Sequence, residues 1–491
     1  MNRINFQKKS EELKRMHMVN PLDIDRLETF IREADDYSLF RINPYYYASE
    51  NSLEENQSLD LFLHFSKIGI FFMEWLLICP RCGDAVKNFN RLIDVHNRFH
   101  CEFCRRDYET ALDDSIQVSF TIHPEIRKIL FHDPFSLSIE DYQYKYHFSR
   151  EGKVPGLGIT FREFFKVRER FLKFLEPKEE IRTEIQVEEG FLEGNDFIHH
   201  SDFLIQVMNA GNDRYDQINI AYTGEKFTFD QTQVSPGLQK FHITNLSDSK
   251  IPLSIYQLDI DFMKTNFGLA FDKFLTPRFL LNYKTFRDLF KGEDIVGSSG
   301  LAIKDITILF TDLKGSTNLY ERIGDIHAFS LVQQHFDEVS QVINRHNGIL
   351  IKTIGDAMMA SFLNPLDAVR ASIEMLDAIE NFNARQFEKE IVLKIGIHTG
   401  PSIAVTLNDR LDYFGQIINI AARVQGIANS EEICFTREVY QFPGVADLFK
   451  DGPVTFEDVQ LKGIKKQIPI VRLRYPKGKK LFFSGYPISI Q

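Results

Sequence analysis

The sequence predicts a multidomain α+β chain with three textures in series. A helical N-terminal stretch gives way near residue 115 to short alternating runs, and strands and helices alternate again from residue 301. At 491 residues the chain exceeds one hydrophobic core, so two to four domains are expected. Its 43% hydrophobic and 26% charged residues are those of ordinary globular protein.

Residues 1–75 read as a helical region. In "PLDIDRLETFIREAD" Ile24, Leu27 and Ile31 fall at helical spacing, and "SLDLFLHFSKIGIFFMEW" continues that pattern. Residues 76–115 hold "CPRC", eighteen residues, then "CEFC". Cys79, Cys82, Cys101 and Cys104 have the spacing of a zinc ribbon with one structural Zn²⁺. Four thiolates leave no open coordination position, so the site is a staple rather than a catalyst. Such a cluster fits a reducing compartment better than a disulfide framework does.

Residues 116–270 predict an antiparallel, sandwich-like regulatory domain. Its runs "SIQVSFTI", "FLIQVMNA", "QINIAYT", "QKFHITN" and "LSIYQLDI" are separated by turn signals, with a helical interruption near "ITFREFFKVRERFLKFLE". Residues 271–298 form a coupling helix and linker. Thr276 and Pro277 are cap and first helical residue, Phe279, Tyr283, Phe286 and Phe290 make one stripe, and "GEDIVGSSG" breaks the chain.

Residues 299–491 form the last domain. The strand "DITILFTD" leads to the helix "HAFSLVQQHFDEVSQVINRHNG", ending at a Gly C-cap, then to the hairpin "ILIKTIGDAMMASF". The helix "PLDAVRASIEMLDAIENF", the strand "IVLKIGIHTG", the helix "QIINIAARVQGIA" and the strands "EICFT" and "IPIVRLR" complete an α/β sandwich.

A net charge of −11 argues against general nucleic-acid or anionic-membrane binding. The N-terminus has no apolar signal region, and "IGIFFMEWLLIC" is short for a membrane span and contains Glu74. A cytoplasmic protein without a membrane partner is expected.

Several polar residues in the last domain invite two readings. Lys352 and Asp356 flank Gly355 in the hairpin as either a cross-strand ion pair or parts of a site. Asp312, at the end of a buried strand, is either a turn residue or a ligand. "KGST" lacks the order of a Walker loop. Asn419 and Arg423 share one helix face, which is ordinarily solvated; Ile417, Ala421, Val424 and Ala428 form the apolar one.

Taken together, "LFTDLKGST", "KTIGDAMMA", "GIHTGP", "DYFGQIINIAARV" and "LKGI" resemble the class III nucleotidyl cyclase catalytic domain in order and spacing, over residues 301–475. The N-terminal portion resembles an uncharacterised region that accompanies some bacterial cyclases. The resemblance implies a ferredoxin-like α/β fold and an adenylyl cyclase making cyclic AMP and pyrophosphate from ATP.

By that resemblance Asp312, Asp356 and the Leu313 carbonyl bind two Mg²⁺ or Mn²⁺ ions per active site. Gly315, Ser316 and Thr317 match a phosphate loop, and Lys462 a lysine on the terminal phosphates. Asn419 and Arg423 match the pair that orients ribose and stabilises the transition state. Lys352 and Asp412 match the base-selecting pair; guanylyl cyclases carry Glu and Cys there. The family's sites are shared between two catalytic domains, and a chain with all six key residues implies a symmetric homodimer.

The resemblance also moves Lys352 and Asp356 apart, Asp356 to the metals of one site and Lys352 to the base of the other. Rival readings are a guanylyl or other nucleotidyl cyclase, and a nucleotide-binding scaffold with a DNA-binding ribbon. Regulation by an unknown ligand or protein at the N-terminal domains, relayed through the 277–290 helix, completes the expectation.

Overall fold

The computed structural model describes residues 1–15, 18–80, 83, 85–89, 91–96, 98–101, 106–113, 115–155, 157–196, 199, 201–209, 217–259, 270–291, 300–385, 391–407, 410–449 and 454–474. Chain contacts divide into two units. One is Met1–Thr110 with Asp114–Thr276; the other is Ala111–Asp113 with Pro277–Gln491.

The first unit opens with helices Arg3–Arg15, Pro21–Glu33, Pro44–Asn51 and Glu55–Lys67. Pro21 starts its helix, the Asn20 side chain caps it, and Ile24, Leu27 and Ile31 are buried. The helical pattern expected to run to Trp75 instead stops at Lys67; Gly69 takes φ 71° and Phe71–Ile78 is a strand paired with Ile116–Ile122. Glu74 through Ile78 are all buried, so this strand has no alternation to distinguish it from a core helix.

Cys79 and Cys101 each fall at a hairpin turn. Cys79 follows Phe71–Ile78, whose antiparallel partner is Ala85–Phe89, and the Gly83 amide (φ 72°) donates to the Cys79 carbonyl at 3.0 Å. Cys101 ends Arg98–Cys101, which pairs with Arg106–Glu109. Cys79 and Cys101 are fully buried in one cluster with Tyr144, Phe148 and Phe164. Cys82 and Cys104 lie outside the described residues.

Two sheets enclose a further core. Residues 233–234, 201–207, 190–196, 251–258 and 169–175 form one in that order; residues 227–229, 218–222, 237–245 and 180–187 form the other. Their inward residues, among them Leu192, Phe203, Ile220, Phe241 and Ile255, pack together. The expected purely antiparallel pairing does not hold, because Ile218–Tyr222 runs parallel to Gly237–Asn245 and Gln233–Val234 parallel to Ser201–Val207. The interrupting helix is only Phe161–Lys166, and Glu169–Leu175 is an edge strand.

The second unit is built on an eight-stranded sheet. Its strands are β1 (Leu301–Leu313), β2 (Ile349–Ile354), β3 (Ala357–Phe362), β4 (Leu393–Leu407), β5 (Arg410–Phe414), β6 (Glu432–Thr436), β7 (Val454–Val459) and β8 (Ile468–Arg474). The order is β2-β3-β1-β4-β6-β8-β7, with β5 hydrogen-bonded to β4. Only β4 and β6 run parallel among these pairs.

Its main helices are α1 (Ser316–Ile323), α2 (Asp325–Arg345), α3 (Pro365–Ala384) and α4 (Gln416–Gly426). Val339, Ile343, Met375 and Ile379 of α2 and α3 cover Leu309, Ile395 and Ile397 of the sheet. The left-handed residue after α2 is Asn347 (φ 56°), not the expected glycine. Gly348 serves a close approach instead: a Cβ there would run into the Phe362 ring.

The expected single helix over 277–290 is two, Pro277–Leu281 and Lys284–Leu289, with Tyr283 extended between them. Asn282 accounts for the break. Its Nδ2 donates to the Arg278 carbonyl at 3.1 Å and its Oδ1 accepts from Ser361 Oγ of β3 at 2.6 Å, so it competes with continued helix. The stripe survives as two stacked pairs, Phe279 on Tyr283 and Phe286 on Phe290. Residues 292–299, most of the expected Gly/Ser break, lie outside the described residues.

Residues 111–113 belong to this unit although the chain on both sides belongs to the other. The Leu112 amide donates to the Ala302 carbonyl of β1 at 3.0 Å, and Asp113 Oδ2 accepts from the Lys304 amide at 2.7 Å. Arg278 Nε lies 3.2 Å from Asp113 Oδ1.

Candidate active site

The site is assembled at strand ends. β1 is buried for most of its length and ends on Asp312 and Leu313. Its register with β3 pairs Thr311 with Met358, and Ile354 faces Ala357 across a two-residue turn, Gly355-Asp356. Gly355 has φ 64°, which a two-residue hairpin requires there. Asp312 and Asp356 therefore lie at neighbouring strand ends.

Asp356 Oδ2 is buried without a hydrogen-bond partner, a costly state for a carboxylate and one that a cation relieves. Asp312 Oδ2 sits 2.8 Å from Lys394 Nζ, directly across the β1–β4 register. A cation beside each carboxylate is thus what this corner accommodates, and the donor set suits hard, oxygen-seeking metals such as Mg²⁺ or Mn²⁺. Sequence reasoning passed over Lys394; its signal was a lone charge inside "IVLKIGI".

His335 of α2 was also missed. It is fully buried, and both ring nitrogens lack hydrogen-bond partners. Burial pushes its pKa down to about 4 against the opposing pull of the Asp356 charge, so the imidazole is neutral at pH 7. The signal was a polar residue at helical spacing from buried Leu331, Val332 and Val339.

Gly315, with φ 72°, opens α1, whose first residues are Ser316 and Thr317. No side chain caps this helix, and a Cβ on Gly315 would meet nothing within 4 Å. The N-terminal amides are thus available to an anion.

Lys352 does not face Asp356. A register shift between Leu350 and Lys352 sets Lys352 opposite Met359, and its ammonium lies 2.5 Å from Asp412 Oδ2 of β5. The lysine side chain is 40% exposed and the aspartate 12%, so the pair has one wet and one dry end. Asp412 Oδ1 accepts from the Tyr413 amide at 2.8 Å. The local cross-strand ion pair is replaced by one joining β2 to β5.

Helix α4 and the turn after it bury Ile417, Ala421, Val424 and Ala428, with Asn419 exposed and Arg423 half-buried. The Arg423 guanidinium lies against Gly463 (φ 72°), where a Cβ would come within 3.0 Å of Nη1, so the exposed Lys462 turn stands beside it. Among the described residues no hydrogen bond or ion pair joins Asp312 or Asp356 to Lys352, Asp412, Asn419 or Arg423.

Residues 7–288 match the Family of unknown function (DUF5939), and residues 301–471 match the Adenylate and Guanylate cyclase catalytic domain. The chain belongs to the DUF5939 family and carries a class III cyclase catalytic domain. Adenylate cyclase 1 of Rhizobium meliloti (strain 1021) is 28% identical over 138 residues, which is 25% of this chain and 21% of that protein. Adenylate cyclase of Anabaena cylindrica is 28% identical over 184 residues, 35% of this chain and 36% of that protein. Guanylate cyclase 2G of Rattus norvegicus is 26% identical over 151 residues, 28% and 14% of the two chains. The DUF5939 chain thus spans well under half the length of these relatives. The crystal structure of the adenylyl cyclase CyaB from P. aeruginosa is similar to 36% of this chain and 96% of its own, at 22% identity and TM-score 0.32. Among the described residues no helix is long and apolar enough to cross a membrane.

Proposed function

We propose that this DUF5939 protein is an adenylyl cyclase that converts ATP to 3′,5′-cyclic AMP and pyrophosphate. The observation that carries the reading is the Lys352–Asp412 pair, joined at 2.5 Å from two different strands. Lys donates and Asp accepts, the complement of adenine N1 and its N6 amine; guanine presents the opposite pattern at those positions. The relatives named adenylate cyclase add support, and a guanylate cyclase relative marks the alternative.

Asp312, Asp356 and the Leu313 carbonyl are assigned to two Mg²⁺ or Mn²⁺ ions. When bound, such ions lower the pKa of the ribose 3′-hydroxyl and neutralise the triphosphate. The amides of Ser316 and Thr317, freed by the Gly315 turn, receive phosphate oxygens, and Lys462 adds charge at the terminal phosphates. Asn419 orients the ribose for in-line attack of its 3′-oxygen on the α-phosphorus. Arg423, planar and always charged, takes up the charge that develops on the α-phosphate as pyrophosphate leaves.

The active unit is assigned to a homodimer. Ile354, Ile403, Leu407 and Phe414 are each at least 45% exposed; Ile354 and Phe414 lie on β2 and β5, which carry Lys352 and Asp412, and Ile403 and Leu407 on β4, the partner of β5. An apolar face of that kind suits a second copy of the chain. Purified protein offered ATP or GTP with Mn²⁺ is expected to turn over ATP faster. Equal or faster use of GTP would overturn the adenine assignment.

One Zn²⁺ on Cys79, Cys82, Cys101 and Cys104 is assigned a structural role in the first unit, which regulates the second in response to a ligand or protein. Burial of Cys79 and Cys101 in one cluster at two hairpin turns supports the site. One zinc per chain by elemental analysis is expected. Cys79→Ser should release it and lower the melting temperature by roughly 5 °C or more. Native protein free of zinc would remove the assignment.

A further inference from the structure

Asp412 has a second cation close to it. Arg287, on the Lys284–Leu289 helix ahead of the catalytic domain, donates through Nη1 to the Leu281 carbonyl at 3.2 Å and through Nη2 to the Leu411 carbonyl at 3.4 Å. The second contact reaches β5 one residue before Asp412. Burial lowers the Arg287 pKa, and the Tyr413, Asp412 and Asp288 charges oppose that shift. Asp288 is already engaged by Lys284. Among the described residues Arg287 has no ion pair of its own.

We propose that Arg287 is a positioning residue for base recognition, holding Leu411 and with it Asp412 in place while Asp412 and Lys352 take the purine edge. The inference rests on the base-reading role assigned above. Lys352 pairs with Asp412 at 2.5 Å. Reading adenine divides the hydrogen bonds of both side chains between each other and the ring, which weakens the counterion of a mostly buried carboxylate. A guanidinium held on the Leu411 carbonyl keeps a positive charge near Asp412 while the pair engages the ring.

The dependence runs outside the region that matches the cyclase catalytic domain. Arg287 precedes residue 301, where the catalytic-domain match begins. Its helix pair is anchored elsewhere by Arg278, which contacts Asp113 at 3.2 Å and donates to the Leu363 carbonyl at 2.6 Å. Base recognition is therefore sensitive to whatever moves the linker.

The test uses full-length protein with Mn²⁺ and either ATP or GTP. Arg287→Met is expected to raise the KM for ATP by about tenfold, with kcat changed less than about threefold, and to reduce the ATP:GTP preference. Arg287→Lys, which keeps the charge, should recover part of that preference. In an Asp412→Asn background Arg287→Met should add little, because the charge it serves is gone. Phe286→Leu, on the same helix, should lower the melting temperature yet leave the nucleotide preference intact.

Parent-like KM and preference in Arg287→Met would overturn the inference. So would an equal fold-change with and without Asp412, or equal losses in the Met and Lys variants. A parent chain with no preference for ATP would instead sink the adenine assignment, so the two failures read differently.

Discussion

Chains carrying Asp312→Ala or Lys352→Ala are each expected to be nearly inactive, and to regain activity when mixed. Loss of the metal carboxylate or of the base-reading ammonium should each cost at least about a hundredfold. If each site takes Asp312 and Asp356 from one copy and Lys352, Asp412, Asn419 and Arg423 from the other, a mixed dimer places both lesions in one site. The second site is intact. With random exchange, half of the dimers are mixed and each has one working site, so recovery should approach about a quarter of parent activity. No recovery despite subunit exchange demonstrated by native mass spectrometry would rule out the shared-site dimer. The separation of the two groups in one chain, with Lys352 turned to Asp412 rather than Asp356, motivates the experiment.

Gly396→Ala is expected to be the most damaging small substitution in the second unit. Gly396 lies in β4 between Phe310 of β1 and Cys434 of β6, and a Cβ there would land on the backbone nitrogen and Cα of Gln425 in α4. A helix backbone cannot rotate out of the way as a side chain can, so α4 must lift from the sheet. Overpacking of this kind costs about 2–3 kcal/mol, and α4 carries Asn419 and Arg423. A shift of about 1 Å in those groups should lower kcat by tenfold to a hundredfold. Gly426→Ala, near the end of the same helix with nothing within 4 Å of its Cβ, is the matched control and should change neither stability nor rate measurably. Equal melting temperature and activity for Gly396→Ala would show that α4 does not depend on this approach.

Local chemistry was readable where it is decided locally. Asn20 and Pro21 start a helix, Gly355 permits the hairpin, and the apolar face of α4 follows from its spacing. What escaped had partners far along the chain. Phe71–Ile78 passes for helix because Glu74 through Ile78 are all buried. The break at Tyr283 depends on Ser361 of β3, which engages Asn282. The Lys352–Asp412 contact spans sixty positions, so no local pattern discloses it and only the family resemblance suggested it. Lys394 and Arg287 reach the site through sheet register and a carbonyl contact, which a single sequence does not display.

The three residues at 111–113 have a consequence for biosynthesis. Leu112 is completely buried in the finished protein and hydrogen-bonded to Ala302, and Asp113 is hydrogen-bonded to Lys304, 191 positions later. On the ribosome the peptide emerges first and waits for its partners. At 5–20 residues per second that interval is roughly 10–40 s, during which a nascent chain displays an unsatisfied leucine and an unpaired edge. Any fragment beginning after residue 113 never receives this segment. The catalytic half of the protein is therefore finished by a piece made long before it, and the order of synthesis is part of how it is assembled.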